Sequence, residues 1–234
     1  MSWWSRFFAP KPFLEPEQAR RLEAWQALPA PSADEPFGHG RYVVVDVETS
    51  GLNLSKDHLI AIGAIAVRDG KIALADSLEI VLQQRRVSDR DNILIHGIGG
   101  TAQSEGTPPQ EALLQFLEYL GQDPLVAFHV AFDETMIKRA LKAHLGLDFA
   151  HRWLDLAYIA PALYPEFARR HRALDDWMGR FHISNYARHS ALADALSTAE
   201  LLLALRSRME AKGAGCFRRL HDLERAQRRV NWAA

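Results

Sequence analysis

Two acidic residues, Asp46 and Glu48, close a β-branched run that begins at Tyr42. Side chains alternate along a strand, so both carboxylates point to the same face. They emerge at the carboxyl end of a strand expected to be central, where open α/β sheets bind ligands. A cation would relieve their repulsion and desolvation, and oxygen-only ligands suit magnesium or manganese. A pair of acids that simply points to solvent is the alternative that this segment leaves open.

Two later segments also place an acid near the start of a predicted helix, and each has an ordinary structural explanation. Asp133 follows His129 at a strand–helix junction, where an aspartate is a standard N-cap. Asp194 lies in the first turn of a long apolar helix, where the helix dipole favours an acid. His189 stands five positions before Asp194, and a histidine beside a metal site can act as a general base.

Together, these segments resemble the DEDDh family of 3′–5′ exonucleases, which includes proofreading subunits of bacterial replicative polymerases. The resemblance covers roughly Arg41–Leu205 and includes the segment Ile95–Ile98, which looks like the family's loop between its first and second motifs. Val130 and Ala61 depart from the family pattern, which often has asparagine and glutamate there. The residues that match the three motifs are Asp46, Glu48 and Thr49, then Asp133 within His129–Asp133, then His189 and Asp194.

A second histidine–aspartate pair, His171 and Asp176, has the same spacing as the third motif. The chain after Asp176 soon reaches a predicted loop, whereas Asp194 opens a long apolar helix. Because the family's third aspartate lies on the last core helix, we assign the motif to His189 and Asp194.

The resemblance implies an RNase H-like α/β fold, with a mixed five-stranded sheet flanked by helices. It also implies hydrolysis of phosphodiester bonds at DNA 3′ ends, with two Mg²⁺ or Mn²⁺ ions per site and release of nucleoside 5′-monophosphates. Asp46 would bridge both ions, Glu48 and Asp194 would hold the first, and Asp133 would act on the second through water. His189 would deprotonate the attacking water.

The resemblance also implies which residues receive the terminal nucleotide. Thr49 and the backbone of Gly51 would bind it, and Leu52 would wedge against the last base. Phe132 is expected either to stack a base or to pack in the core. His96, predicted on a loop, is a further candidate contact.

The hydrophobic pattern supplies a mixed-sheet framework for these residues, because strands come first and then alternate with helices. The strands predicted over His58–Val67 and Lys71–Leu82 form a hairpin, with a turn at Asp69-Gly70. Tyr42–Val47 and Leu125–Phe128 are the other two predicted strands. Helices are predicted over Glu17–Leu28, Pro108–Leu120, Asp133–Leu145, Ala173–Phe181, Ala191–Met209 and Phe217–Val230.

We divide the chain into an N-terminal extension with a short helix and a linker over 1–40, an exonuclease domain over 41–211 and a basic C-terminal helix over 212–234. Residues 206–234 hold eight basic and three acidic residues, a net charge of +5. This concentration of positive charge predicts either a solvated helix face or a surface that binds phosphates or a protein. The aromatic segment Met1–Pro16 is an exposed extension or a hook for a partner or a membrane surface. The chain would act either as a free-standing exonuclease or as a subunit, and in the second case a polymerase or another replication or repair protein would bind through these termini.

The composition of the chain narrows the class of protein and the compartment in which it would work. The 234 residues carry a net charge of −1, which argues against a polybasic binder. The lone Cys216 excludes an internal disulfide framework and, with no apolar run long enough for a membrane span, favours the cytoplasm. Single-stranded DNA is the expected substrate, and two alternatives stay open: an exoribonuclease with the same chemistry, and a catalytically silent nucleic-acid-binding subunit.

Overall fold

The computed structural model describes residues 12–185 and 187–232, with side chains to residue 230. The aromatic residues at positions 3, 4, 7 and 8, for which a partner or membrane contact was predicted, lie outside this part of the chain. Within it, no helix is both long enough and apolar enough to cross a membrane.

A mixed five-stranded sheet lies at the centre of the fold and confirms the predicted class. The strand order is β3-β2-β1-β4-β5, with β1 paired antiparallel to β2 and parallel to β4. β2 and β3 form the predicted antiparallel hairpin, and β5 continues the parallel side next to β4. The strands are β1 (Arg41–Thr49), β2 (Leu59–Arg68), β3 (Lys71–Val81), β4 (Leu125–Ala127) and β5 (Trp153–Asp155).

Helices cover both faces of this sheet. They are α1 (Pro16–Gln26), α2 (Arg90–His96), α3 (Gly100–Ser104), α4 (Pro109–Leu120), α5 (Val130–Leu145), α6 (Leu156–Leu163), α7 (Leu174–Phe181), α8 (Ala191–Ala204), α9 (Arg206–Ala211) and α10 (Phe217–Trp232). The sequence pattern did not locate β5 or α6. Three strand residues are too few to show a period, and Pro161 interrupts the pattern of α6.

Two helix boundaries differ from the prediction. α5 begins at Val130, so Asp133 is the fourth helical residue and not the N-cap. The cap is His129, whose left-handed backbone (φ 67°) turns the chain straight from β4 into the helix. The single helix predicted over 191–209 is two helices, because the Arg208 N–H bonds to the Leu205 carbonyl, three residues back, and tightens the turn.

The alternation of β1 divides the core between the two helical layers. Val43 and Val45 pack in the cluster that contains residues of α1, α4 and α5. Tyr42 and Val44 pack in the cluster built with α6, α7, α8 and α10. The two acids of β1 continue the even-numbered series, so they lie on the α8 side of the sheet, as the two-residue period predicts.

Gly63 allows α8 to begin directly against the sheet. It pairs with Asp46 across β1 and β2. A Cβ at Gly63 would lie 2.1 Å from the backbone carbon of Ala191 and from the backbone nitrogen of Leu192. No other residue type fits so close an approach of two backbones. The contact therefore brings the first turn of α8, which carries Asp194, beside Asp46.

The segment predicted as a linker, Pro29–Gly40, is packed against the fold. Phe37 is 3% exposed, and its N–H donates to the Gly215 carbonyl over 2.8 Å. The preceding helix is also attached, because Arg21 bonds to carboxylates of α4 and the Trp25 indole N–H donates to the Gly121 carbonyl over 2.8 Å. The N-terminal extension therefore contributes buried residues to the core from Leu22 onward, and Leu14 packs against the same cluster.

The C-terminal helix is joined to β5 through ionised groups. Arg228 bonds to Asp155 and Glu224, each over 2.9 Å, and its guanidinium lies 3.9 Å from the centre of the Tyr158 ring. Glu224 accepts in turn from the Asp155 N–H over 3.0 Å. α10 is therefore not a free basic tail, although Arg225 and three other arginines of α10 remain exposed.

We predict that Gly63→Ala destabilises the fold by about 3 kcal/mol, because the new methyl group forces β2 and α8 apart. Denaturant unfolding measures the change. Gly179→Ala is the matched control, since Gly179 lies within α7 with open space around it. That variant should gain up to about 1 kcal/mol from helix propensity. Equal stability of the two variants would contradict the close approach.

Candidate functional site

Three carboxylates from two elements meet at the carboxyl end of β1. Asp46 and Glu48 come from the strand and Asp194 from the first turn of α8. One carboxylate oxygen from each lies within 4.8 Å of the other two. A register shift between Glu48 and Thr49 marks the point where β1 leaves its regular pairing with β2. The structure thus brings together acids that are about 150 residues apart in the chain.

Asp133 adds a fourth carboxylate beside this group. It is 5% exposed. Burial raises the pKa of Asp133 to about 8, and the negative charges of Asp155 and Glu48 contribute to the increase. Hydrogen bonds from the backbone N–H groups of Asp133 and Val47 oppose it. The charge of Asp133 in turn is the leading electrostatic contribution to the raised pKa of Asp46. Asp133 therefore belongs to the same electrostatic cluster, although it is not one of the three tightly grouped acids.

Burial and mutual repulsion make the ionised form of these groups costly. Burial raises the pKa of Asp46 well above its ordinary value, and the charges of Asp133 and Asp194 add to the effect. Burial, followed by the charge of Asp194, raises the pKa of Glu48 to about 8. The nearby Arg188 opposes both shifts without cancelling them. The cluster therefore favours bound protons or a bound cation.

The oxygen atoms of Asp194 have several donors around them. The Arg188 guanidinium contacts one oxygen, which also accepts from the Asn185 side chain over 2.6 Å. The other oxygen accepts from the His189 backbone N–H over 3.0 Å. Arg188 also lies 3.2 Å from Asp175. The segment before α8 is thus hydrogen-bonded to the carboxylate of Asp194 in the first turn of that helix.

His189 borders the cleft above the carboxylates, as the third motif predicts. Its side chain is exposed and its backbone is left-handed (φ 63°). Sequence reasoning did not place His129 at the cleft, and no pattern in the sequence signals its left-handed backbone. The cleft is lined by Asp46, Val47, Glu48, Phe128, His129, Ala173, Leu174, Arg188, His189 and Asp194.

The competing pair, His171 and Asp176, has structural roles away from the cleft lining. The His171 ring packs 5.2 Å from the ring centres of both Phe167 and Trp177. Asp176 accepts from the N–H groups of Arg172 and Ala173 and so caps α7. The geometry therefore favours the assignment of the third motif to His189 and Asp194.

The chain after the first motif folds into a loop beside the carboxylates. The Thr49 hydroxyl donates to the Gly51 carbonyl over 2.8 Å, and the Thr49 carbonyl accepts from Asn92 of α2 over 3.0 Å. A Cβ at Gly51 would lie 2.5 Å from an oxygen of Asp57. Leu52 is 87% exposed, so its side chain is available to a ligand.

His96 and Phe132 have internal contacts. His96 is not on a loop, because it ends α2 and is 5% exposed. Its ring nitrogens lie 3.3 Å from the Ser88 hydroxyl and 3.0 Å from the Ile98 N–H. Phe132 is partly buried against the core. Their predicted contacts with substrate stay predictions, and these positions favour packing for both.

The donor set of the cluster fits a hard divalent cation. All of its ligand atoms are carboxylate oxygens, which Mg²⁺ and Mn²⁺ prefer over the nitrogen and sulfur ligands typical of zinc. Within the part of the chain that the structure describes, this is the one group of three or more acid, histidine or cysteine side chains with metal-binding spacing. A cation there would offset the repulsion that raises the pKa of Asp46 and Glu48.

Comparison with known proteins agrees with this geometry. The RNase T family model, described as an exonuclease, matches residues 43–202. The PolC-type DNA polymerase III of Thermotoga maritima is 28% identical over 203 residues, which are 87% of this chain and 14% of that polymerase.

Solved exonuclease structures share the fold. E. coli Exonuclease I in complex with a dT13 oligonucleotide has a TM-score of 0.61 at 15% identity and covers 75% of this chain and 43% of its own. Exonuclease X in complex with 5′ overhanging duplex DNA has a TM-score of 0.60 at 19% identity and covers 78% of this chain and 99% of its own.

We predict that Asp46→Asn stabilises the metal-free protein at pH 8. Folding raises the pKa of Glu48 and Asp133 from 4.5 and 3.8 to about 8. The stability that the folded protein gains by binding these protons is therefore complete below the unfolded-state pKa values. It is lost as the pH rises through about 8. Removing one charge should raise the Tm in EDTA by about 6 °C, or about 2 kcal/mol, with a smaller gain at pH 5.

Thermal unfolding at both pH values measures this difference. Asp222→Asn, on the exposed side of α10, removes a carboxylate far from the cluster in sequence and should not change the pH dependence. A gain in Tm for Asp46→Asn that is equal at pH 5 and pH 8 would show that repulsion is not its source.

Proposed function

Because the chain belongs to the RNase T exonuclease family, we propose that it is a metal-dependent 3′–5′ exonuclease. It would remove nucleoside 5′-monophosphates from DNA 3′ ends during proofreading or repair. The observation that carries the proposal is the cluster of Asp46, Glu48 and Asp194 in a cleft that His189 also borders. The family makes the chain a nuclease domain, and the polarity and the substrate are the proposed part.

The four carboxylates would hold the cations. Asp46, Glu48 and Asp194 offer oxygens within 4.8 Å of one another, and Asp133, which is buried beside them, would act through water. When bound, two divalent cations would activate the attacking water and stabilise the leaving 3′ oxygen. The carboxylates fix where the scissile phosphate lies, because β1 and α8 hold them on a rigid frame.

His189 would take the proton from the attacking water. Its ring is exposed at the cleft, while its backbone N–H is bound to Asp194. This bond keeps the ring near the carboxylates without making the imidazole a ligand. Histidine is the side chain most often used as a general acid or base, which suits a group that accepts and then releases a proton.

The terminal nucleotide would lie against the loop that follows β1. Leu52 would pack on its base, and Thr49 and Gly51 would contact its sugar and phosphate. Several arginines near the cleft would attract the rest of the strand. Four exposed arginines around the start of α7 and on that helix have no ion pair among the described residues: Arg169, Arg170, Arg172 and Arg180.

The context in which the chain works is also a proposal. The chain spans only 14% of the polymerase from T. maritima, and its exonuclease domain over 41–211 would serve a polymerase or another replication or repair protein. The exposed arginines of α10, in the C-terminal segment 212–234, and the N-terminal segment 1–40 are the proposed contacts. The lone Cys216 fits a reducing cytoplasm.

We predict that Asp46→Ala abolishes divalent-metal-dependent digestion of a labelled single-stranded DNA, because the shared ligand is lost. His189→Ala should lower turnover by a factor of about 10² to 10⁴ and leave metal affinity unchanged, because it removes only the base. Gel assays measure turnover, and calorimetric titration with Mn²⁺ measures affinity. His171→Ala is the matched control and should keep wild-type turnover. A severe loss of turnover in His171→Ala, and not in His189→Ala, would show that the general base is His171.

The polarity and the nucleic acid are tested with the same enzyme. DNA and RNA oligonucleotides labelled at the 5′ end should give ladders that shorten from the 3′ end, faster on single-stranded DNA than on RNA. Faster digestion of RNA would make the chain an exoribonuclease. Binding without digestion by the wild-type protein would make it a silent subunit and would overturn the proposal.

A further inference from the structure

The guanidinium of Arg139 holds the loop between β1 and β2 from outside. It donates to three backbone carbonyls of that loop, 82 to 85 residues away in the chain. They belong to Leu54, to Ser55 over 3.2 Å and to Asp57 over 2.8 Å. No carboxylate pairs with Arg139 among the residues that the structure describes, so its charge is directed at these carbonyls.

The loop has its own internal scaffold. The Asn53 side chain accepts from the N–H groups of Ser55 and Lys56 over 3.0 and 3.2 Å. The Asp57 carboxylate accepts from the Asn53 N–H over 2.8 Å and from the Ser50 hydroxyl over 3.1 Å. These bonds set the shape of the loop, but none of them connects it to a helix.

Arg139 supplies that connection. It lies on α5, six residues after Asp133, so it joins the loop to the helix that carries a site carboxylate. Leu52 projects from the same loop and is 87% exposed. One fork-shaped cation can bind several converging carbonyls, which the ammonium group of lysine would do less well.

We propose that Arg139 is a positioning residue that sets the place of Leu52, and so of the terminal base, relative to the carboxylate cluster. It would touch neither the substrate nor a cation. Strands whose last base is out of place against Leu52 would be held less productively, so Arg139 contributes to selection of the 3′ end. The kinetic part of this inference rests on the proposed function; the effect on the loop does not.

Arg139→Gln should leave the fold and Mn²⁺ affinity unchanged and lower kcat/KM on single-stranded DNA about tenfold, mainly through KM, because the loop loses its anchor. Arg139→Lys should recover part of the loss. Lys142→Gln is the matched control: it removes the same charge from the same helix, but Lys142 pairs with Asp148.

A double-mutant cycle with Leu52→Ala separates positioning from a general structural role. If Arg139 acts through Leu52, Arg139→Gln should lower kcat/KM little further in the Leu52→Ala background. An equal loss in both backgrounds, or no loss in either, would overturn the proposal.

Hydrogen exchange gives a readout that needs no activity. Arg139→Gln should speed exchange in peptides that cover residues 50–58 and leave peptides of α8 unchanged. Unchanged exchange in the loop would overturn the inference. An inactive wild-type protein whose loop exchange still depends on Arg139 would overturn the proposed exonuclease activity and keep the anchoring role.

Discussion

The crowding of buried carboxylates at one end of β1 is the constraint on which the rest of the structure depends. Asp46, Glu48, Asp133 and Asp194 come from three elements, and burial with like charge raises the pKa of the first three. Such a cluster opposes folding wherever the acids are ionised, so the frame must be stable enough to hold them together. A sheet with apolar helices on both faces provides that frame, and cations bound to the same oxygens would offset the cost.

Arginine is the residue that offsets this concentration of acceptor groups. Arg188 contacts the carboxylate of Asp194, and Arg228 binds Asp155 at the end of β5. Arg139 instead collects backbone carbonyls beside the cleft. Arg139 lies on α5, Arg228 on α10 and Arg188 in the segment before α8, so each one ties a different part of the chain to the carboxyl end of the sheet. A planar guanidinium suits such sites, because it binds several oxygens at once.

The position of the site acids could be predicted from local patterns, whereas much of the structure that supports them could not. The two-residue period of β1 placed both of its acids on one face, and the long apolar helix after Asp194 separated the third motif from its competitor at His171 and Asp176. β5 and α6 were missed, because a three-residue strand has no period and Asp155 resembles any helix-capping acid. The left-handed backbone of His129, the burial of His96 and the carbonyl contacts of Arg139 depend on tertiary neighbours that no local window contains.

The ion pair between Arg228 and Asp155 makes the parallel side of the sheet depend on α10. Asp155 is 1% exposed, and its charged partner stands 73 residues further along the chain. Without α10, the carboxylate that accepts from the His129 N–H would lack the guanidinium that faces it. Loss of α10 would therefore leave all four site carboxylates in the chain but expose a buried acid beside the turn into α5.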